Sequence, residues 1–384
     1  MKVPEGILTS SADNNVPTVC LVNTGGTIAG LSSGLSAASG QVTYRSAQLE
    51  ATDLIQDLPD LKATFNWRFE SPYQIGSQNL EWRHMLMMHQ LLIRLLEDTS
   101  VDAIVVTHGT DCLEDMLFFL HLCLPAKLQQ SKPLLFVAAM LPADHPQADG
   151  PVNLSNALNL ADDLIGQKKS FFGAVLHGLR TPAEHVRKMH TTDISAFDSQ
   201  WGVSVKAPLT QAQPFKHNSP TAGLFSAVLA AQLHSLGLEK TELRLLSADV
   251  CVAYCAPGLP TPLLRAGQGD DAGHLPMAFV IAAPGHGSIP DAWSDFINEA
   301  LQQGNLLIRS SRVGEGGVSE GGEYQIPAQF ERHFDERVVA GREGLVDRFA
   351  VANKWTGMWN AHFMSIPQCL VFARLALFEM TVLQ

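Results

Sequence analysis

The amino-acid sequence has no apolar run long enough to cross a membrane. A spanning helix needs at least about 18 consecutive apolar residues, and polar residues interrupt every hydrophobic stretch before that length. Residues 1–17 also lack the apolar segment of a secretory signal peptide. These two absences argue against a membrane protein and predict a cytoplasmic location.

Cysteine is sparse, and its spacing matches no disulfide framework. The chain has six cysteines and no CxxC pair. Cys251 and Cys255 are the nearest two, but in an extended strand their Cα atoms would lie about 13 Å apart, which is too far for a disulfide. We therefore predict reduced thiols, and these favour a reducing compartment.

Positive charge is also scarce. The chain has 26 Lys and Arg residues against 38 Asp and Glu residues, which gives a formal charge of −12. This balance argues against binding to nucleic acid or to an anionic membrane surface, since both are polyanions. The expected partner is instead a small molecule that is selected by local groups.

Two common cofactor signatures are missing. The segment TGGTIAG at residues 24–30 contains neither the GxxxxGK[ST] pattern of a phosphate-binding loop nor GxGxxG. The pairs His84/His89 and His185/His190 are each five residues apart, and no HExxH occurs, so solvent-facing or capping histidines are favoured over metal ligands. These patterns therefore favour neither a phosphate-binding loop nor a histidine metal site.

What the sequence does contain is an alternation of buried strands and helices. Continuous apolar runs of strand length are separated by helical patterns, and this arrangement predicts a layered sheet that is largely parallel. The first set of runs covers residues 19–22, 103–107, 133–139 and 172–176, and a second set covers residues 249–254, 277–283 and 305–310.

With 384 residues, the chain exceeds one ordinary hydrophobic core. We predict two layered α/β domains, a larger one with a mixed sheet at residues 1–212 and a smaller one with a parallel sheet at residues 248–384. Residues 213–247 lack strand runs and are assigned to a linker. Three local predictions are a mobile loop at residues 30–41, a short helix at residues 46–61 that Pro59 ends, and an amphipathic helix at residues 367–377.

Two threonines follow buried strands at equivalent places, Thr27 after the first strand and Thr110 after the second. A threonine at a strand end is most often a turn or helix-cap residue. The carboxyl ends of parallel strands, however, are also where open α/β sheets bind their ligands. Both interpretations apply to each threonine taken alone.

Neighbouring residues favour chemistry at this edge of the sheet. A threonine hydroxyl needs a partner that takes its proton before it can act as a nucleophile, and Lys188 with Asp111 could supply one. Gly25 and Gly26 could leave backbone N–H groups free to stabilise an oxyanion. Such an assembly would attack an amide or ester carbonyl.

Six segments, in the same order and over nearly the whole chain, match one known family. Together they resemble the bacterial-type L-asparaginases, including the asparaginase-glutaminases. The segments are TGGTIAG at residues 24–30, IGSQ at 75–78, VTHGTD at 106–111, ADGPVN at 148–153, KMHTTD at 188–193 and RSSRV at 309–313.

The resemblance implies an amidohydrolase that works through a covalent acyl-enzyme, without a metal or cofactor. Thr27 matches the primary nucleophile, and Tyr44 matches the tyrosine of the active-site lid. Thr110, Lys188 and Asp111 match a second triad, in which Lys188 accepts a proton and Asp111 orients it.

The resemblance also implies how substrate is bound. Ser77 and Gln78 match the pair that holds the α-carboxylate and amine, and Asp111 would pair with the α-ammonium. Glu323 matches a glutamate that reaches the α-ammonium in a neighbouring subunit's site, and Ser288 matches a position that touches the substrate-binding region. The family is usually a homotetramer with active sites at the interfaces of intimate dimers.

Two positions depart from the family pattern. Leu141 stands where many relatives have arginine, and Ser288 stands where asparagine is common. The implied activity is hydrolysis of L-asparagine to L-aspartate and ammonia, and glutaminase side activity is left open. The alternatives are an amidotransferase subunit that supplies ammonia to a tRNA-linked reaction, and a non-catalytic amino-acid-binding protein.

Overall fold

The computed structural model of the chain divides into two compact units, Met1–Ser219 and Pro220–Gln384. It describes residues 7–9, 16–35, 42–56, 58–198, 200–209, 221–262, 276–318, 331–332, 355–361 and 363–383. The predicted class, two α/β units with a larger mixed sheet and a smaller parallel sheet, is confirmed.

The first unit is built on an eight-stranded sheet in the order β1-β5-β2-β6-β7-β8-β9-β10, and β3 and β4 form a separate two-stranded sheet. Neighbours from β5 to β8 are parallel, whereas β1, β9 and β10 pair antiparallel. The strands are β1 Ile7–Thr9, β2 Thr18–Asn23, β3 Leu31–Leu35, β4 Val42–Arg45, β5 Asn66–Glu70, β6 Ala103–Thr107, β7 Leu134–Val137, β8 Phe172–Leu176, β9 Leu179–Pro182 and β10 Val203–Ser204.

The helices of this unit connect its parallel strands. They are α1 Ala51–Leu54, α2 Pro59–Thr64, α3 Trp82–Glu97, α4 Leu113–Cys123, α5 Ala126–Gln129 and α6 Gly150–Gly166, with short 3-10 helices at Thr27–Ala29, Ser77–Asn79 and Ala183–His185.

The predictions for residues 30–41 and 46–61 were wrong in detail. Leu31–Leu35 is a strand and not a loop, because it pairs antiparallel with Val42–Arg45; residues 36–41 lie outside the described part. The predicted single helix is two short helices, and Pro59 begins the second one. Proline lacks a backbone N–H, so the first helical turn is the position where it costs least.

Strand β2 lies in the middle of the sheet, between β5 and β6. Val19 and Leu21 are fully buried and share a core cluster with Leu154 and Leu158 of α6. Burial of such a side chain stabilises the fold by about 1.5–3 kcal/mol. This packing holds β2 in place and therefore sets the position of the loop that follows its carboxyl end.

The second unit contains a five-stranded parallel sheet in the order β11-β12-β13-β15-β14. Its strands are β11 Val250–Tyr254, β12 Ala278–Ala283, β13 Leu306–Ser311, β14 Glu331–Arg332 and β15 Gly357–Asn360; its helices are α7 Ser226–Leu246, α8 Ser294–Gln302 and α9 Ile366–Leu383, with a 3-10 helix at Asp291–Trp293.

Two predictions for this unit differ from the structure. Part of the proposed linker is helical, since α7 covers Ser226–Leu246 with a kink at Gly237, and it belongs to the second unit. The C-terminal helix α9 is longer than predicted and buried around most of its circumference, because it is apolar on nearly all sides. No helix in the described part is long and apolar enough to span a membrane.

Candidate active site

Two glycines turn the chain sharply after β2. Gly25 and Gly26 have φ angles of 93° and 76°, in a region that residues with a Cβ rarely adopt. A Cβ on Gly25 would lie 2.6 Å from the Ile75 carbonyl oxygen, and one on Gly26 would lie 2.5 Å from Gly109 Cα. The glycines therefore let Thr27 sit beside the loops that follow β5 and β6.

The same packing occupies the N–H groups that we expected to face an oxyanion. Gly25 N–H donates to Asn23 Oδ1 at 3.0 Å, and Gly26 N–H donates to the Ile75 carbonyl at 2.9 Å. That expectation was wrong, because the Asn23 side chain accepts from Gly25 and the neighbouring loop brings the Ile75 carbonyl to Gly26. Among the described residues, Thr110 N–H has no acceptor and remains available.

Buried polar side chains join the ends of β2 and β6. Thr24 Oγ1 donates to the Thr107 carbonyl at 2.7 Å, and Thr107 Oγ1 donates to Asn23 Oδ1 at 3.0 Å. Asn23 Nδ2 in turn donates to the Leu49 carbonyl at 2.9 Å. Since buried hydrogen-bonded groups are costly to separate, the two strand ends form a rigid frame for the loops beyond them.

Thr27 and Tyr44 are in direct contact. Thr27 opens the 3-10 helix after the glycine turn, is only 5% exposed, and donates its hydroxyl to the Tyr44 hydroxyl oxygen at 2.9 Å. Tyr44 lies on β4, in the hairpin formed with β3. The sequence placed these residues on one lid, and the structure brings their hydroxyl groups together.

Thr110, Lys188 and Asp111 also meet. Lys188 Nζ donates to Thr110 Oγ1 at 3.0 Å and to Asp111 Oδ1 at 2.6 Å. The side chain of Lys188 is 18% exposed and that of Asp111 is 52% exposed, whereas Thr110 is 6% exposed. The buried Thr110 hydroxyl thus lies next to the Lys188–Asp111 ion pair, whose carboxylate is exposed to solvent.

Helix α4 holds the segment that carries Lys188, which the sequence did not predict. Glu114, in the first turn of α4, accepts the backbone N–H of Lys188 at 3.0 Å and is 7% exposed. Further along, His121 of α4 lies 3.2 Å from Glu184 in the Ala183–His185 turn. The only sequence signal for Glu114 is its place three residues after the THGTD segment.

Ser77 and Gln78 lie on opposite sides of one turn. Ser77 is buried, and its Oγ accepts the N–H groups of Asp111 at 3.0 Å and Cys112 at 3.4 Å. Gln78 is exposed and lines a cavity of about 490 Å³ together with Tyr44 and Asp111. The cavity is therefore lined by this turn, by Tyr44, which contacts Thr27, and by Asp111, which contacts Lys188.

His84, His89 and His108 each make a hydrogen bond to the backbone. His108, within THGTD, is 1% exposed and contacts the Gly109 carbonyl through Nδ1 at 2.8 Å; burial lowers its pKa to about 4. His84 caps the start of α3, as predicted, whereas His89 is buried and bonded to the Cys123 carbonyl. Among the described residues no group of histidine, cysteine and carboxylate side chains could hold a metal ion.

The part of the chain that contains these residues matches a known family. The family model described as "Asparaginase, N-terminal" matches residues 18–213. This part of the chain contains Thr27 with Tyr44, and Thr110 with Lys188 and Asp111. The chain belongs to the asparaginase family. The resemblance inferred from the six sequence segments is therefore confirmed.

Individual relatives and a solved structure agree with the family. The chain is 31% identical over 300 residues to a "Glutaminase-asparaginase" of Pseudomonas fluorescens biotype A, covering 78% of this chain and 76% of the relative. It is 28% identical over 317 residues to "L-asparaginase 2" of Bacillus subtilis, covering 82% and 78%. The crystal structure of a probable cytoplasmic L-asparaginase from Campylobacter jejuni shares the fold, with TM-score 0.63 and 22% identity over 94% of this chain and 95% of that one.

The family resemblance singled out three further positions, Leu141, Ser288 and Glu323. Leu141, one of the departures, donates its backbone N–H to Asp149 Oδ1 at 2.9 Å, a bond that any side chain at this position would permit. Ser288 lies in the second unit, in a turn where its N–H donates to the Pro284 carbonyl at 3.0 Å. Glu323 lies outside the described residues.

Cys112 follows Asp111 in the chain, and its surroundings disfavour the thiolate form. Burial, and then the carboxylates of Asp115, Asp111 and Glu114, raise its pKa to about 12. The thiolate appears only as pH approaches that value, so at about pH 8 roughly one part in ten thousand is ionised. We expect iodoacetamide at that pH to leave Cys112 unmodified on a timescale that alkylates a free thiol peptide, and to leave activity intact.

Peptide mass spectrometry with parallel activity assays would check this expectation. Cys251 serves as the internal reference, because it is likewise half-buried but far along the chain from the site residues. Alkylation of Cys112 as fast as the peptide, or loss of activity in step with its modification, would contradict the expected protection.

Proposed function

We propose that this chain is an L-asparaginase, which hydrolyses L-asparagine to L-aspartate and ammonia through a threonine acyl-enzyme. The observation that carries the proposal is a pair of activated hydroxyl groups in one unit, Thr27 on Tyr44 and Thr110 on the Lys188–Asp111 ion pair. Family membership supports the substrate class. A relative named as a glutaminase-asparaginase supports glutaminase side activity.

Substrate recognition uses the two charges of a free amino acid. Asp111 Oδ1 is bonded to Lys188, while its other oxygen accepts nothing among the described residues and would pair with the α-ammonium. Ser77 Oγ already accepts two N–H groups, so its own proton is left to donate to the α-carboxylate. Gln78, at the rim of the cavity, would add a second polar contact.

Fixing both ends of the substrate directs its side-chain amide to Thr27. Thr27 Oγ1 attacks the amide carbon, and its proton leaves along the hydrogen bond toward Tyr44. The developing oxyanion finds a donor in Thr110 N–H. Tyr44 in turn releases its own hydroxyl proton to solvent in the cavity that it lines. Lys188 gives a proton through Thr110 Oγ1 to the departing nitrogen and is left neutral, so ammonia leaves and an aspartyl ester remains.

Water then completes the reaction. It attacks the ester carbon while Thr110 Oγ1 takes one water proton and passes its own hydroxyl proton to the neutral Lys188 Nζ, its hydrogen-bond partner. The Tyr44 hydroxyl gives a proton to the Thr27 oxygen as it leaves and takes one from solvent, and aspartate is released. Asparagine and glutamine differ by one methylene, which changes the transition-state energy by about 1–3 kcal/mol, so we expect a ratio of activities and not an absolute choice.

The test is ammonia release by the purified chain with free asparagine or glutamine. Turnover of asparagine is the expected result, and no ammonia from either amide would overturn the proposal. Release that needs a second protein would favour the amidotransferase subunit, whereas binding of either amide without turnover would favour an amino-acid-binding protein.

A homotetramer completed by Glu323 is part of the same proposal. Glu323 from one subunit would reach the α-ammonium in a neighbour's site, as the family resemblance implies. Exposed apolar side chains support self-association of the second unit, since Val252 and Tyr254 on the edge strand β11 are 39% and 47% exposed.

Removing this glutamate tests the shared site. We expect Glu323→Ala to raise KM for asparagine about tenfold, as a lost charge-assisted contact worth about 1.5 kcal/mol would do, with the unfolding midpoint unchanged. Glu315→Ala, which removes an exposed glutamate eight residues earlier in the chain, should behave as wild type. An unaltered KM, or a monomer in sedimentation that is fully active, would count against a shared site.

A cytoplasmic location is proposed on chemical grounds. All six cysteines are free thiols, and four of them are buried. Such thiols persist in a reducing compartment, and a structural neighbour is titled as a probable cytoplasmic enzyme.

A further inference from the structure

The hairpin that carries Tyr44 needs support from outside itself. Among the described residues, strands β3 and β4 form a sheet of two strands with no third strand, and an isolated two-stranded hairpin is marginally stable in water. Its pairing is also irregular, with a register shift between Ser32 and Gly34. The position of Tyr44 therefore depends on contacts between this hairpin and the rest of the unit.

One such contact is made directly opposite Tyr44. Ser32 is the cross-strand partner of Tyr44, and both its N–H and its hydroxyl donate to Asp144 Oδ1, at 2.8 Å each. The two residues are 112 positions apart in the chain. Hydrogen bonds to a carboxylate are stronger than those between neutral groups, and these two converge on a single oxygen.

The loop that presents Asp144 is itself held in place. The neighbouring residue, Ala143, donates its N–H to the Gly30 carbonyl at 2.9 Å, at the base of the hairpin. Upstream, the N–H groups of Met140 and Leu141 donate to the carboxylate of Asp149 at 2.9–3.1 Å. Asp144 thus lies in a hydrogen-bonded loop between β7 and α6, and the hairpin is attached to this loop through Ser32.

We propose that Asp144 is a positioning residue, which holds Ser32 and thereby keeps the Tyr44 hydroxyl on Thr27 Oγ1. The inference rests on the proposed function, in which Thr27 is the nucleophile. It assigns to an exposed carboxylate an effect on catalysis that exceeds its effect on folding. A small displacement of a group that touches the nucleophile is costly, because productive geometry tolerates only a fraction of an ångström.

The test compares Asp144→Ala with two matched variants. Asp144→Asn keeps an oxygen that can accept both Ser32 donors. Ser33→Ala removes the neighbouring hydroxyl, which contacts Thr43 Oγ1 at 3.3 Å within the hairpin and not Asp144. We expect kcat/KM for asparagine to fall about tenfold in Asp144→Ala, to fall less than threefold in Asp144→Asn, and to stay at the wild-type value in Ser33→Ala.

Two further readouts separate positioning from general destabilisation. Hydrogen exchange of the amides in β3, followed by mass spectrometry without substrate, should accelerate in Asp144→Ala while the unfolding midpoint stays near wild type. In a Tyr44→Phe background, Asp144→Ala should add little further loss, because the contact that it protects is already gone.

The outcomes are distinct from those of the proposed function. A wild-type chain that releases no ammonia defeats the proposed function, and with it the catalytic part of this inference; unchanged exchange in β3 then overturns the structural part as well. With an active wild type, an undiminished kcat/KM in Asp144→Ala, or a full tenfold loss that persists in the Tyr44→Phe background, overturns the inference.

Discussion

Replacement of Thr27 by alanine is expected to lower kcat for asparagine by about ten-thousandfold or more. The hydroxyl is the attacking group in the proposed reaction, and loss of a nucleophile removes the covalent route entirely. Because alanine fills most of the same buried space, the free energy of unfolding should change by less than about 1.5 kcal/mol, the net worth of one hydrogen bond. Steady-state ammonia release and thermal unfolding measure the two effects.

Thr43→Ala is the matched control for this variant. Thr43 lies beside Tyr44 on β4 but is exposed and bonded only to Ser33 among the described residues, so its loss should leave kcat unchanged. Thr27→Ser should retain measurable activity, because it keeps the hydroxyl. An alanine variant that retains more than about one-hundredth of wild-type kcat would show that Thr27 is not the nucleophile.

Replacement of Lys188 by methionine is expected to lower kcat by about a thousandfold. Proton transfer by a positioned group contributes about 10²–10⁴ to a rate, and methionine keeps the length of the side chain while removing every proton it could exchange. Thr110→Val should cost a similar factor, since in the proposed reaction Thr110 Oγ1, which is hydrogen-bonded to Lys188, relays protons between Lys188 and the substrate.

The effects of the Lys188 and Thr110 substitutions on kcat are expected not to add, and this is the more discriminating part of the prediction. If Lys188 and Thr110 act as one relay, the double variant should be no slower than the worse of the two single variants. Stability should change little, because the ion pair with Asp111 is half-exposed on the carboxylate side and such pairs contribute at most about 1 kcal/mol. Lys169→Met, which removes a half-buried lysine bonded to Gln167, is the control. Wild-type activity in Thr110→Val would mean that the second triad is wrongly assigned.

The parallel core was predictable because its signal is local. Apolar runs such as residues 103–107 can be buried on both faces only in a central strand, and β6 is Ala103–Thr107. The same local logic misread residues 46–61, where a proline was taken to end a helix that it begins. It also missed the strand Leu31–Leu35, because a serine- and glycine-rich segment gives no strand pattern until its partner Val42–Arg45 is known.

The candidate active site likewise has some features that can be read from the sequence and others that cannot. The types and order of Thr27, Thr110, Asp111 and Lys188 are readable in the chain, since each sits in a recognisable segment at a strand end or in a polar stretch. Which donors remain available is not readable. The N–H groups of Gly25 and Gly26 were expected to be free and are occupied by Asn23 and the Ile75 carbonyl.

The sequence by itself therefore determined the α/β class, the strand ends that carry the two threonines, the requirement for glycine before Thr27 and the family. Only the tertiary structure decided which groups support those threonines: Glu114 holds the backbone of Lys188 from 74 residues away, and Asp144 holds Ser32 from 112 residues away. Strand burial and glycine turns are set by neighbours along the chain, whereas a contact between distant side chains exists only once the order and register of the sheet have brought their loops to one edge.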